Sequence, residues 1–284
     1  MRWLFHVLTE GSLPSVGADG FVHASFKDAV AESARLYFPE AARLRVLQID
    51  PRRLDARVEL ASTPRGPMPH IHGEIPPDAI RATLALRDVP NAPDRVTGTK
   101  IAFVAFEGMT LLDLVGAYDP LARIAKMGFD PTATCSIVTA DAARPWSEGG
   151  GSLVVHAVRP TLEAYDAVVV PGGPGARALV TNTRITEWIA AFPHNRLIAS
   201  VCTGALVLGA AGRLRGKRAT THRSALGDLA AYGATAVAER VIDEGQLVTA
   251  AGVTSAIDLA LHLVRRLEGD EVAAAIALQM EWPH

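Results

Sequence analysis

From residue 101 onward, short apolar runs alternate with longer stretches in which apolar residues recur every three or four positions. The runs Ile101–Phe106, Thr134–Thr139, Ala167–Val170, Leu197–Val201 and Gln246–Ala250 read as strands. Helical spacing covers about Leu111–Met127, Ala176–Ala191, Thr203–Ala211, Thr254–Leu267 and Asp270–Gln279. An extended pair is expected around Gly151–Val158, with short strands at Thr220 and over Val237–Ile242. Apolar strands separated by helices of ten or more residues predict βαβ units, hence an α/β fold whose mostly parallel sheet carries helices on both faces. The first 87 residues follow another pattern. Leu4–Leu8, Gly20–Ala24 and Leu44–Ile49 read as strands and Lys27–Phe38 as a helix, which predicts a small α+β domain.

Between the two patterns lies RDVPNAPDRVTGTK, Arg87–Lys100, with two prolines, a glycine and mixed charges but no apolar periodicity. That is linker chemistry. The expected organisation is a small domain over 1–89, a linker over 90–99 and a larger α/β domain over 100–284.

Composition narrows the class. The chain has 284 residues, 49% hydrophobic and 20% charged, which excludes a disordered or collagen-like polymer. Its net charge of −2 lacks the basic surplus of a dedicated nucleic-acid binder. Two cysteines, Cys135 and Cys202, do not make a disulfide framework and point to a reducing compartment. No signal-peptide core or stretch of membrane-spanning length is visible, so a cytoplasmic protein without membrane partners is expected.

Chemistry concentrates at three strand ends. In RLIASVCTGALVLGAAG, Cys202 sits between an apolar strand and a helix of small residues, the pattern of a nucleophile elbow. There the side chain is presented at the carboxyl end of the sheet, and the helix amides should favour its thiolate. A buried small hydrophobe is the competing reading for Cys202, and Cys135, inside a plain strand, is assigned to the core. In VVVPGGPGAR, the strand is followed by Gly172, Gly173 and Gly175 without the Lys-Ser/Thr of a phosphate loop. The backbone amides of Gly173 and Thr203 are therefore oxyanion-hole candidates, although a plain strand-to-helix turn would use the same glycines. In EGMTLLDLVGAYD, Asp113 is an acid among leucines near a helix start. It is either a capping residue or, buried beside a thiol, a carboxyl group held protonated for general acid work.

These segments carry a resemblance. Over about Lys100–Trp282, LLDLVGAYD, VVVPGGPG, SVCTGALVLGAAGRLRGKRATTH, RVIDEGQLVTAAGVTSAIDLAL and LQMEW resemble the ThiJ/PfpI, or class I glutamine amidotransferase-like, superfamily. Within it they are most similar to the isonitrile hydratases, a subgroup that shares its motifs with the sensor domains of AraC-type regulators. The resemblance implies a flavodoxin-like sheet, Cys202 as nucleophile, Asp113 as its acidic partner, Thr203 as a polar neighbour, and Gly172 and His222 at the pocket. It implies a hydro-lyase that adds water to an isonitrile-like small molecule, needs no metal or organic cofactor and works as a homodimer. The alternative it carries is a non-enzymatic small-molecule or redox sensor; no helix-turn-helix region follows the core in the sequence, which favours the enzyme. Thr203 stands where peptidase-like members have histidine, against a protease. Ala117, Ala250–Ala251 and Arg223 depart from the usual residues and imply an altered pocket.

Over about Arg2–Val89, FHVLT, GFVHASF and MPHIHGEIPPDAI resemble the bacterial domain of unknown function nine-five-two, a family distantly related in fold to ADP-ribosyltransferases. That likeness makes His6 and His23 pocket candidates. His70 and His72 have the strand spacing of a metal pair, but structural or solvent-facing histidines are the favoured reading.

Overall fold

The structure, a computed structural model, describes residues 1–39, 43–141 and 145–283. It divides into two compact units, Met1–Val96 and Thr97–His284.

The first unit contains β1 (Leu4–Thr9), β2 (Val22–His23), α1 (Val30–Tyr37), β3 (Leu44–Ile49), β4 (Arg57–Thr63), β5 (Gly66–His72) and β6 (Ile80–Ala85). Two antiparallel three-stranded sheets result, in the orders β1-β3-β6 and β2-β5-β4. In β1, Leu4 and Leu8 enter one apolar cluster while Phe5 and Val7 enter another. Period-two alternation thus buries both faces of that strand. Three strands, β4 to β6, were not expected. Their residues are largely exposed or half-buried on both faces, so no clean apolar alternation marks them. The stretch expected to be a linker is folded in part: Leu86–Asn91 is a 3-10 helix, and Val89, Ala92 and Val96 are buried.

The second unit runs through β7 (Lys100–Val104), α2 (Leu111–Lys126), β8 (Thr134–Thr139), β9 (Ala157–Val158), β10 (Ala167–Val170), α3 (Pro174–Leu179), α4 (Thr183–Ala190), β11 (Leu197–Val201) and α5 (Gly204–Ala210). It continues with β12 (Arg218–Ala219), β13 (Thr235–Ala236), β14 (Val241–Asp243), β15 (Leu247–Ala250), α6 (Ser255–Glu268) and α7 (Asp270–Gln279). Seven strands form one sheet in the order β14-β15-β11-β10-β7-β8-β9, parallel throughout except for the β14–β15 pair. The five inner strands follow the flavodoxin-like order, and the sequence direction reverses between β7 and β10. Helices α2, α6 and α7 pack together, and α5 gathers α3 and α4, which covers the two faces. Strands β7, β10, β11 and β15 are accordingly almost wholly buried.

Local chemistry explains the departures from expectation here. The helix expected over Ala176–Ala191 is two helices, because Asn182 leaves the helical region and its side chain accepts from the Ile185 amide at 3.4 Å. The pair expected around Gly151–Val158 reduces to β9 and an isolated Trp146–Ser152 bridge. Of the strand expected over Val237–Ile242 only Val241 and Ile242 are extended, in β14, while β13 lies just ahead of the range. No helix among the described residues is long and apolar enough to cross a membrane.

Candidate active site

Three chain segments meet at the carboxyl ends of β7, β10 and β11, next to the point where strand order reverses. This is where open parallel sheets expose loop backbone to a ligand. Cys202 follows β11 directly and has φ of 55°, a left-handed conformation for a residue with a Cβ. Such a conformation costs of order 1–3 kcal/mol and persists only where the surroundings enforce it. Here the Cys202 amide is bonded to the Ala250 and Ala251 carbonyls, at 3.0 and 2.8 Å, and its carbonyl accepts from the Thr221 hydroxyl at 2.7 Å. Gly172 closes the elbow from the other side. A Cβ on it would lie 2.5 Å from the Thr203 amide nitrogen and 2.8 Å from the Cys202 Cβ.

Asp113 lies in the first turn of α2 and is fully buried. One oxygen, Oδ2, accepts from the Gly172 amide at 2.9 Å. The other, Oδ1, makes no hydrogen bond of normal geometry. Burial pushes the carboxyl group up to about 7 against the pull of the Gly172 amide and the Cys202 thiol, and the charge of Glu148 adds to the rise.

Cys202 differs from its expected state. Burial and the facing Asp113 carboxyl push its thiol up to about 11, although the Thr203 amide and hydroxyl pull the other way. With Cys202 only 6% exposed, desolvation outweighs the short α5 helix, so the resting sulfur keeps its proton. Cys135 is half-buried in β8 against the core, and burial pushes it up to about 12.

The expected oxyanion donors also prove to be partly engaged. The Gly173 amide donates to Thr203 Oγ1 at 2.9 Å, and the Thr203 hydroxyl donates back to the Gly173 carbonyl at 3.0 Å. With Gly172 committed to Asp113, neither glycine amide of this turn is a free donor. The Thr203 amide is aimed at the Cys202 sulfur instead. His222 caps the following 3-10 helix through Ser224 and packs its ring on Gly252, where a Cβ would lie 2.3 Å from it. It lines a cavity of about 410 Å³ shared with Thr221 and Ala251, the residues that hold the Cys202 backbone.

Glu148 was not singled out from the sequence. It lies in the SEGGG loop and accepts from the Thr110 hydroxyl at 2.5 Å, just ahead of α2. A carboxylate among flexible glycines gives no sequence signal of such a partner. Of the candidate metal pair, His70 stacks on Phe21 at 3.9 Å and His72 faces Glu59 at 3.3 Å. Among the described residues no group of three or more His, Cys, Asp or Glu side chains is arranged to hold a metal.

Comparison with known proteins agrees with this architecture. Residues 99–266 match the model of the DJ-1/PfpI family, and residues 7–83 match that of a protein of unknown function (DUF952). The chain is 37% identical over 184 residues to an isonitrile hydratase of Pseudomonas putida, covering 64% of this chain and 78% of that one. It is 29% identical over 188 residues to the HTH-type transcriptional regulator GbdR of Pseudomonas aeruginosa, covering 65% of this chain but only 51% of the regulator. A crystal structure of a ThiJ/PfpI family protein from Pseudomonas syringae superposes with a TM-score of 0.58 at 31% identity, over 67% of this chain and 77% of that one. With one family model spanning more than half of its length, and with a solved family member sharing its fold, the chain belongs to the DJ-1/PfpI family.

Proposed function

We propose that the second unit is a cysteine-dependent hydratase that adds water to an isonitrile-like small molecule and releases an N-formamide. The observation that carries this reading is the pairing of Cys202, held at φ 55°, with a buried carboxyl group lifted to about 7. An acid of that strength is half-protonated near neutrality, the range in which general acids transfer protons well. Similarity to the P. putida isonitrile hydratase supports the substrate class.

In the first step Asp113 gives its proton to the terminal isonitrile carbon as the Cys202 sulfur bonds to that carbon. The thiol proton passes to the carboxylate so formed, which leaves a thioimidate and a protonated Asp113. Water then attacks the same carbon; Asp113 protonates the nitrogen and takes a proton from the water. The tetrahedral intermediate forms its C=O bond, sulfur leaves, and the hydroxyl proton returns to sulfur through Asp113. Sulfur never has to persist as a free thiolate, in keeping with its raised proton affinity. The working unit in this proposal is a homodimer built mainly through the second unit, where Leu112 and Val115 stand exposed on the first turns of α2.

Purified protein is incubated with a panel of small alkyl and aryl isonitriles, and formamide is quantified by mass spectrometry. Turnover by the wild type and none by Cys202→Ala is expected; absence of formamide from every member overturns the reading. A sensor reading is favoured by the likeness to GbdR and by the engaged Gly172 and Gly173 amides. Stoichiometric binding without turnover would select it.

A further inference from the structure

The first unit contains a cavity of about 450 Å³, within the range of small-molecule sites. Its walls are mainly apolar, with Val7, Ala24 and Met68 buried behind it and Phe21, Tyr37 and Phe38 adding ring surface. Its polar groups are hydroxyls, imidazoles and one guanidinium. Among the described residues no aspartate or glutamate lines it. Two acids of this unit have partners: Asp19 faces His23 at 2.9 Å, and Glu59 faces His72 at 3.3 Å and Arg57 at 2.6 Å.

The guanidinium belongs to Arg65, at the tip of the β4–β5 hairpin. The Thr63 hydroxyl fixes that tip, accepting from the Arg65 amide at 3.2 Å and donating to the Gly66 carbonyl at 2.7 Å. Arg65 donates to Ser33 Oγ and to Tyr37 Oη, both at 3.1 Å, and lies over the Tyr37 ring at 5.5 Å. All these partners are neutral, and among the described residues no carboxylate pairs with it. A guanidinium held in place by hydroxyls keeps its charge available and has donors to spare for two parallel hydrogen bonds. The imidazoles of His6 and His70 are shifted toward their neutral forms by burial and that of His23 faces Asp19, so among the described lining residues Arg65 is the permanent positive charge that decides the sign of the ligand.

We infer that the first unit binds a small flat ring compound bearing a carboxylate or phosphate, with the anionic group on Arg65 and the ring against the aromatic wall. Apolar walls and aromatic faces select the body of such a ligand, and the charge selects its head. The assignment is independent of the hydratase reading, because the cavity contains neither Cys202 nor Asp113.

Full-length protein is titrated with benzoate, indole-3-carboxylate and phenyl phosphate, and with the neutral benzyl alcohol and indole, while the His6, His23 and His70 resonances are followed by NMR. At least one anion is expected to shift these resonances with a Kd below ~1 mM and to bind at least ~10-fold more tightly than the neutral compounds. The tighter of the carboxylate and phosphate arms identifies the head group. In Arg65→Gln that advantage should fall to less than about threefold, and Cys202→Ala should bind like the wild type. No resonance shift by any anion at millimolar concentration, or equal affinity for anions and neutral compounds, overturns the inference. The anion-to-neutral ratio is read on wild-type protein, so the test stands even where Arg65→Gln fails to fold.

Discussion

The two units collect their chemistry in opposite ways. In the second, Asp113, Gly172 and Cys202 come from the segments that follow three parallel strands, and the site is tight enough that Asp113 is fully buried. In the first, the polar groups stand along the walls of an open cavity beside an antiparallel sheet, anchored by one arginine at a hairpin tip. A parallel sheet places loop backbone and side chains at one edge, where burial shifts proton affinities and suits covalent chemistry. A half-covered antiparallel sheet leaves concave surface and charge, which suits reversible binding. The difference is testable, because one set of substitutions should affect turnover alone and another binding alone.

The largest effect expected is that of Cys202→Ala. Removing the nucleophile of a covalent mechanism costs about 10³-fold or more in turnover. Anion binding by the first unit should be unchanged within error. Formamide release and NMR titration on the same preparation check both halves; a fall in both would show that the units do not act separately.

Next comes Asp113→Asn, which keeps the shape but removes the transferable proton. A slowing of ~10²–10⁴-fold is expected, the usual worth of general acid–base catalysis. A purely capping Asp113 would instead cost roughly 0.5–2 kcal/mol of stability and little activity per folded molecule. Turnover and Tm measured together separate the two roles.

The same substitution has a pH signature in stability. The folded value of Asp113 is about 7, above the ordinary 3.8. Between those values the native state holds a proton that the unfolded chain has lost. The favourable contribution is therefore complete below about pH 4 and disappears as pH rises through about 7, a change on the order of a few kcal/mol. Asp113→Asn lacks this dependence, so its Tm relative to wild type should climb from pH 5 to pH 8. A constant difference across that range would show that burial does not lift this carboxyl group. Using the difference cancels the opposite trend of Asp50, Asp130 and Asp243, whose folded values are lowered.

The units also differed in how much their sequences disclosed. In the second, Ala167–Val170 is a continuous apolar run and Leu197–Val201 is broken only by Ser200, and the structure has the same bounds for both. The segments carrying Asp113, Gly172 and Cys202 were visible because glycines and a lone acid interrupt otherwise apolar text. Two properties were not visible. The proton affinity of Cys202 depends on burial and on a residue 89 positions away (202 − 113), and the loss of the Gly173 amide depends on where the Thr203 hydroxyl turns. In the first unit, β4 reads RVELAST and alternates weakly because both of its faces are largely exposed or half-covered. Its hairpin partner β5 carries two prolines, at 67 and 69, which argue against a strand in one-dimensional reading.

The smallest effects concern two side chains, one in each unit, whose local bonds the apolar pattern did not disclose. Asn182 separates α3 from α4 by accepting from the Ile185 amide, but at 3.4 Å that bond is long. Asn182→Ala should therefore cost near the lower end of the usual cap range, about 0.5–1 kcal/mol, and leave both turnover and anion binding as they are. Thr63 makes two bonds of better length, 3.2 and 2.7 Å, across the turn that carries Arg65. Thr63→Ala should cost about 1 kcal/mol of stability and also weaken anion binding about two- to fivefold, because a looser turn must be ordered again on binding. Isonitrile turnover should not change. Denaturant melts of the two variants, set beside the NMR titration, measure this. Equal loss of anion affinity in both variants would mean that the first-unit cavity responds to general stability rather than to the hairpin tip, and the contrast between a strand-end site and a wall-borne one would lose its support.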